Sequence, residues 1–498
     1  QEGLDAWVKI TDEKSDNFKG DFCREKYFSF DEEFITVKTI GWYAREDNKS
    51  RYQDWHERWC IPKLKQCISR KRFPHVLTAE AFYRVFWLDY IYTGRKWVEF
   101  RSNRLVILDN DETIRRAITE KFVPCFDKLR NQISIEKINI NDKLESSNSA
   151  KRMASDFEKI IVTIGEMIDK LLSDGYRNSL MRTIREYFFI ENFYSYVDMD
   201  PRLLGVYNCV VEMSETEAFV RPGKPEDFIT KRLGVSYRSE YSYNHKDIVD
   251  LLKYFQQVFP EPSLNDYMKK DVASMLYGRN SEKCFRVWIG DTNGSKSVFQ
   301  KMLRKMFGDY YKDMPADFYS SQQRGSSGPN PELAQVLGAR IVFSAEPDDV
   351  AAFKGARIKK LTGGDSFYAR GCGENGGTIE TTFKPVMVLN LVPDVTGLDE
   401  ATKNRFKMIP FEGRWIKEDD NIKVPDSFEE QIKMKTYKMD NRFEDNIPRL
   451  AMALLWLSVK NFKRYRSEGI SNPPYLRRWM EDYWKRNEVV VTVLDTLK

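Results

Sequence analysis

The sequence predicts a three-layer α/β core over residues 281–415, set between largely helical N-terminal and C-terminal regions. Three observations predict it. Short apolar runs bounded by glycine or polar residues recur as FRVWIG (285–290), ARIVFSA (339–345) and PVMVLNLVP (385–393), the length and composition of buried strands. Stretches of helical spacing lie between and around them, with SVFQKMLRKMF (297–307) following the first. Strands that alternate with helices pack as a mainly parallel sheet with helices against it.

Taken in chain order, residues 1–142 form an N-terminal mixed region, rich in Trp and Tyr and holding the basic cluster KLKQCISRKR (63–72). The region closes in the polar stretch NDKLESSNSAK (141–151), which reads as a linker. Residues 143–280 are a helical region. Met153, Phe157, Ile160, Ile164, Met167, Ile168 and Leu171 recur at spacings of three and four, and Gly175 reads as the stop signal. Further helical patterns run through Leu180–Phe189, Asp247–Phe259 and Tyr267–Leu276. After the core, residues 416–498 return to helix, broken once at Pro473 and Pro474.

Composition narrows the class. With 41% apolar and 14% aromatic residues the 498-residue chain can bury sizeable cores, which excludes a mainly disordered protein. The longest apolar run, Leu450–Val459, falls well short of the roughly 18 residues a bilayer span requires, so no membrane partner is expected. A net charge of +5 permits nucleic-acid binding without arguing for it. Seven scattered cysteines point to reduced thiols and an intracellular setting. The first residue is Gln rather than Met, so a piece of a longer polypeptide is expected.

GDTNGSKS (290–297) carries the chemistry. A phosphate-binding loop (P-loop) needs inward backbone N–H groups, a Lys for the β- and γ-phosphates and a following hydroxyl for Mg2+, all at a helix N-terminus. Gly290, Lys296 and Ser297 have that spacing, and Asp291, Thr292, Asn293, Gly294 and Ser295 complete the loop. Ser295 stands where the last glycine of the usual pattern belongs; it is expected to take nearly helical dihedrals, with Gly294 supplying the unusual turn. Glu346 follows the second strand, where an acid can polarise a water or help hold the metal. A solvated carboxylate is the bland alternative. Asn390 is read as a buried amide inside the third strand, directed at a γ-phosphate and water.

Between those strands, IKKLTGGDSFYARGCGENGGTIETTFKP reads as a hairpin from 366 to 384. Lys359, Lys360, Phe367, Tyr368, Arg370 and Lys384 are the residue types that contact phosphates and stack on bases, although a solvated hairpin would carry similar charges. Arg405 in ATKNRFKMIPF is placed just past the third strand. There it could neutralise charge on a nucleotide held by an adjacent subunit, or merely pair with a surface carboxylate.

In this order, GDTNGSKS, GARIVFSAEPDD, KKLTGGDSFYAR, VMVLNLVPD and ATKNRFKMIPF closely resemble the superfamily 3 helicase domain, an AAA+ type P-loop ATPase. The resemblance is specifically to the primase-helicase of nucleocytoplasmic large DNA viruses, the group containing poxviruses and African swine fever virus. It extends more weakly outward, through LLGVYNCVVEM and PEDFITKRLGVSY before the core and NPPYLRRWMEDYW after it. The family's loop usually has Asn-Gly directly before the Lys, and here that pair stands one residue earlier.

The resemblance implies that Lys296 and Ser297 hold ATP phosphates and Mg2+, that Glu346 is the acidic motif at the metal, that Asn390 is the sensor, and that Arg405 reaches a neighbouring protomer's nucleotide. It implies a homo-hexameric ring whose hairpin grips single-stranded DNA at a fork. It also implies a primase domain upstream in the same polypeptide, other viral replication proteins as partners, and replication factories in the host cell cytoplasm. An ATP-dependent replicative DNA helicase is the function expected. The alternatives are a P-loop ATPase that pumps or packages DNA without unwinding it, and a DNA-binding scaffold without turnover.

Two weaker signals remain. His56, Cys60, Cys67 and His75 fall within twenty residues, but without a close Cys-x-x-Cys pair they read as core or surface residues rather than a zinc site. NFKRYRSEG (461–469) and YLRRWMEDYWKR (475–486) interleave aromatic and basic groups, and read as packed helices with snorkelling cations rather than a nucleic-acid surface.

Overall fold

The computed structural model describes residues 37–496, apart from 71, 144–147, 321–334, 346–351, 365, 370–376, 391–394, 397–398 and 419–421. The chain divides into two compact units, one comprising residues 1–197 with 224–230, the other 198–223 with 231–498. Among the described residues no helix is long and apolar enough to cross a membrane.

The first unit is helical around a small sheet. Its helices include Val37–Asp47, Lys49–Ile68, His75–Phe86, Val123–Lys143, Asn148–Leu172 and Asp174–Phe188. Three antiparallel strands, Tyr90–Tyr92, Trp97–Arg101 and Arg104–Ile107, pair in chain order. Ile164, Met167 and Leu171 are buried as their spacing requires, while Met153 near the helix start is exposed. They join an aromatic core of Phe82, Phe86, Phe122, Phe126 and Phe188. Gly175 is not the stop: the long helix ends at Leu172, and Gly175 lies in the first turn of the next, which begins at Asp174.

The second unit contains a five-stranded, wholly parallel sheet. Its strands are β1 (Phe285–Ile289), β2 (Tyr311–Asp313), β3 (Ile341–Ser344), β6 (Lys384–Leu389) and β7 (Phe406–Pro410), in the order β7-β1-β6-β3-β2. The hairpin strands β4 (Ser366–Ala369) and β5 (Gly377–Glu380) form a separate antiparallel pair, from Ser366 opposite Glu380 to Ala369 opposite Gly377. A further parallel pair, β8 (Arg414–Ile416) and β9 (Thr436–Lys438), follows the core. Around the sheet lie α1 (Lys246–Val258), α2 (Pro262–Ser274), α3 (Lys296–Phe307), α4 (Gly355–Thr362), α5 (Glu400–Lys403) and α6 (Ile447–Glu468). All five residues of β1 are buried, as expected for a parallel strand covered on both faces. The expected seams at 142, 280 and 415 do not coincide with the division into units: the long helices up to Phe188 pack in the first, and α1, α2 and α6 share the second unit's core with the sheet.

The two ends of this sheet differ in chemistry. At the end where β1, β3 and β6 begin, charged groups are sealed inside. Arg286 and Asp271, both buried, form an ion pair, with Arg286 Nε donating to Asp271 Oδ1 at 2.8 Å. Arg340, also buried, donates to the carbonyl oxygens of Asp200 (3.1 Å) and Leu203 (2.8 Å). Buried charges persist only when partnered in this way. The other end is where β1 runs out at Ile289 and the glycine loop begins.

Candidate functional site

The loop 290–295 joins a buried strand to an amphipathic helix. Gly290 is dictated by close approach: a Cβ there would lie 2.4 Å from the carbonyl oxygen of Phe411, whose own N–H donates to Ile289 O at 2.7 Å. At Gly294 a Cβ would meet Asp291 O at 3.0 Å and Phe411 O at 3.3 Å. The left-handed backbone expected of Gly294 falls instead on Asn293 (φ 63°) and Ser295 (φ 66°, ψ 8°), so the glycine serves proximity and its neighbours make the turns. Ser295 is therefore not in right-handed helical geometry. It makes no side-chain cap on α3, which leaves the first-turn N–H groups, at the positive end of the helix dipole, suited to an anion.

Lys296 lies back over the loop. Its Nζ donates to the carbonyl oxygens of Gly290 and Asp291 and, at 3.2 Å, to Asn390 Oδ1. Asn390 thus meets the loop lysine, but it is not inside the strand: β6 ends at Leu389, opposite Ile289, and Asn390 is the exposed residue beyond. Burial ends with the sheet, while the amide reaches the loop from its edge. Ser297 is exposed at the second position of α3. Glu346 lies outside the described residues.

Arg405 occupies the opposite end of the sheet. It does not directly follow β6; it immediately precedes β7, whose Phe406 pairs with Phe285, and its carbonyl accepts from Phe285 N at 2.7 Å. A five-residue strand at about 3.3 Å per residue separates it from its own loop by roughly 16 Å. Its guanidinium donates to Thr362 Oγ1 (3.0 Å) and Ala401 O (2.9 Å). Lys359 and Lys360, read as flanking the hairpin, sit on α4, and Lys359 pairs with Asp399 at 2.7 Å, a contact that lowers the Asp399 carboxyl pKa well below the usual range. Phe367 and Tyr368 lie on β4 of the expected hairpin, and Arg370 lies outside the described residues.

Lys384 corrects the expectation most sharply. It opens β6 inside the central sheet, fully buried, so the hairpin ends at Glu380 and Lys384 presents no charge to DNA. Its ammonium donates to the carbonyl oxygens of Tyr277 (2.8 Å) and Arg279, and burial pushes its pKa down to about 7.

A cavity of about 800 Å3 opens beside the loop. Residues that sequence reasoning missed form much of its wall: Lys253, Tyr254 and Gln257 on α1, and Trp415 on β8, with Asn441 and Phe443 beyond β9. Positions 250, 253, 254 and 257 do share one helical face, but only the packing of α1 against the loop gives that face a role. Tyr254 shares a 2.8 Å hydrogen bond with Ser295 Oγ, and Trp415 N donates to Asn293 O at 3.2 Å. Burial pushes the Tyr254 hydroxyl pKa upward.

His56, Cys60, Cys67 and His75 do not converge. His56 Nε2 bonds the Arg84 carbonyl at 2.8 Å and lies 3.6 Å from Cys60 Sγ; Cys67 Sγ donates to the carbonyls of Lys63 and Leu77, and His75 stacks on Tyr176. Among the described residues no group of three or more His, Cys, Asp or Glu side chains could hold a metal ion.

No family model matches the chain. It is related by sequence to proteins of large DNA viruses. A provisionally named helicase of Acanthamoeba polyphaga mimivirus is 23% identical over 491 residues, 98% of this chain and 49% of that protein. A provisionally named helicase of Invertebrate iridescent virus 6 is 28% identical over 335 residues, 65% and 34% respectively. A provisionally named primase of African swine fever virus is 17% identical over 357 residues, 72% and 36%. The chain therefore spans about half or less of the length of these curated relatives. Among solved structures, the C-terminal region of NrS-1 aligns over 58% of this chain and 60% of its own at 15% identity and a TM-score of 0.35, too slight a likeness to argue from.

Proposed function

We propose that this chain is the ATP-driven motor of a superfamily 3 DNA helicase from a large DNA virus, an AAA+ type ring that translocates on single-stranded DNA. One observation carries the proposal: Lys296, at the loop after β1, meets Asn390, at the end of the neighbouring strand β6, within 3.2 Å. The viral relatives support the same reading. Two groups from different segments thus converge where the N-terminus of α3 favours a triphosphate.

In this site the loop amides and Lys296 hold the phosphates, and Asn390 orients the γ-phosphate and its attacking water. Glu346 takes the water's proton. Mg2+, for which the exposed hydroxyl of Ser297 and the Glu346 carboxylate are suitable hard oxygen donors, would neutralise charge on the phosphate oxygens. Arg405, remote from its own loop, completes the site of an adjacent protomer in a homo-hexamer, a role worth about 10³–10⁵ in turnover where such fingers act. The β4–β5 hairpin, with Phe367, Tyr368 and Arg370, grips the strand, and Lys359 and Lys360 stand at its root. A primase domain upstream and other viral replication proteins are the partners, in replication factories of the host cytoplasm.

Two measurements test this. DNA-stimulated ATP hydrolysis should fall by about 10²-fold or more in Lys296→Ala, as expected when a preorganised transition-state donor is removed. A scaffold would lose nothing. Release of a labelled strand from a forked duplex separates a helicase from a DNA pump, which hydrolyses ATP without freeing it. Absence of DNA-stimulated hydrolysis in the intact protein would end the helicase reading.

A further inference from the structure

Two residues of the phosphate loop, Asn293 and Ser295, carry a Cβ yet hold φ near +65°. Asparagine tolerates left-handed backbone, but for serine it is unfavourable and persists only where the surroundings impose it. Each of the two is tied to an element packed against the loop. Asn293 O accepts from the backbone N–H of Trp415, and Ser295 Oγ is paired with the hydroxyl of Tyr254, 41 positions earlier in the chain.

Tyr254 is itself immobilised. It lies on α1, only 2% exposed, with its ring 4.9 Å from that of Phe443 at an interplanar angle of 31° and 6.5 Å from that of Phe299. The position of its hydroxyl is therefore set by the core and not by the loop. A glycine at 295 would reach φ +66° without strain, but it would offer no side chain for α1 to hold.

We infer that Tyr254 is a positioning residue for nucleotide binding, clamping Ser295 so that the amides at the start of α3 face the phosphates before any nucleotide arrives. This inference rests on the proposed nucleotide site and adds to it a residue outside the loop. Preorganisation of this kind acts on affinity, because the bound conformation need not be ordered at the moment of binding.

The test is a double-mutant cycle on the full chain, using Tyr254→Phe, which keeps the packed ring, and Ser295→Ala, read by titration with a fluorescent ATP analogue, by KM and kcat, and by thermal melting. Each single variant should weaken nucleotide binding and raise KM by about five- to tenfold, the usual effect of one lost hydrogen bond, with kcat changed far less. The double variant should bind no more weakly than the worse single one, since both remove the same clamp. The inference is overturned if Tyr254→Phe binds as the wild type does, or if the two losses multiply, which would mean that Tyr254 acts elsewhere. A wild-type protein that binds no nucleotide would remove the phosphate site itself and this inference with it, an outcome distinct from variants that bind equally well.

Discussion

Replacing Gly290 with alanine tests whether the loop owes its shape to close backbone packing. The added Cβ would sit 2.4 Å from the Phe411 carbonyl oxygen, 3.0 Å from Phe411 Cβ and 3.2 Å from its carbonyl carbon. Ordinary contact begins about 1 Å farther out. The obstructing atoms are mostly backbone, and Phe411 is tied to Ile289 by the 2.7 Å hydrogen bond that continues the β7–β1 ladder. No side chain can swing aside, so the loop and the end of β7 must part by about an ångström. Overpacking of this size costs about 2 kcal/mol, and the melting midpoint of the second unit should fall by roughly 4–8 °C. An ångström of displacement at reacting groups costs about 10²-fold in rate, so ATP hydrolysis should drop by that factor even at temperatures where the variant is folded. Gly294→Ala, facing contacts at 3.0 and 3.3 Å, should show a smaller loss of both. Thermal melts and steady-state ATPase assays measure the two effects separately. A Gly290→Ala protein that melts and turns over like the wild type would refute the close-approach account of the loop.

Lys384→Met should destabilise the second unit by about 1–3 kcal/mol, because the carbonyls of Tyr277 and Arg279 lose their buried donor, while single-stranded DNA affinity of the folded variant stays unchanged. The same variant carries a pH signature. With its pKa lowered by burial to about 7 from the ordinary lysine value of 10.5, the wild-type lysine binds its proton more weakly when folded, so its contribution to stability rises between those pH values. The stability difference between wild type and Lys384→Met should therefore widen as pH is raised through that window, as measured by denaturant titration. Mixing inactive Lys296→Ala and Arg405→Ala proteins should restore hydrolysis at about a quarter of the junctions if Arg405 serves a neighbour's nucleotide; no recovery above the separate proteins would count against a shared site.

What could be read without coordinates was local. The run FRVWI, the glycine after it and the apolar spacing of 297–307 define strand, loop and helix within two dozen residues, so the place of Lys296 and Ser297 at the start of a helix could be read from spacing alone. The hairpin was legible for the same reason, since β4 and β5 are joined by a short glycine-rich connection. Lys384 was not. Its place at the end of the expected hairpin suggests a DNA contact, whereas the register of β6 against β3 draws it into the interior. Arg405 was placed at the wrong end of a strand because β7 was not recognised, and Asn390 was assigned to a strand that stops one residue earlier.

The sequence by itself determined the candidate site's chemical inventory: a lysine and hydroxyl at fixed spacing after a buried strand, an amide in a later apolar run, and apolar periodicities sufficient to build a sheet and its helices. Those features depend on interactions between residues close in the chain, where covalent geometry sets the distances. Only the tertiary structure decided that Tyr254 and Trp415 brace the loop, that Lys384 is sealed in the core, and that Arg405 stands at the far end of the sheet from its own loop. Each of these depends on which strand lies beside which and in what register, and that is settled by the packing of the whole unit.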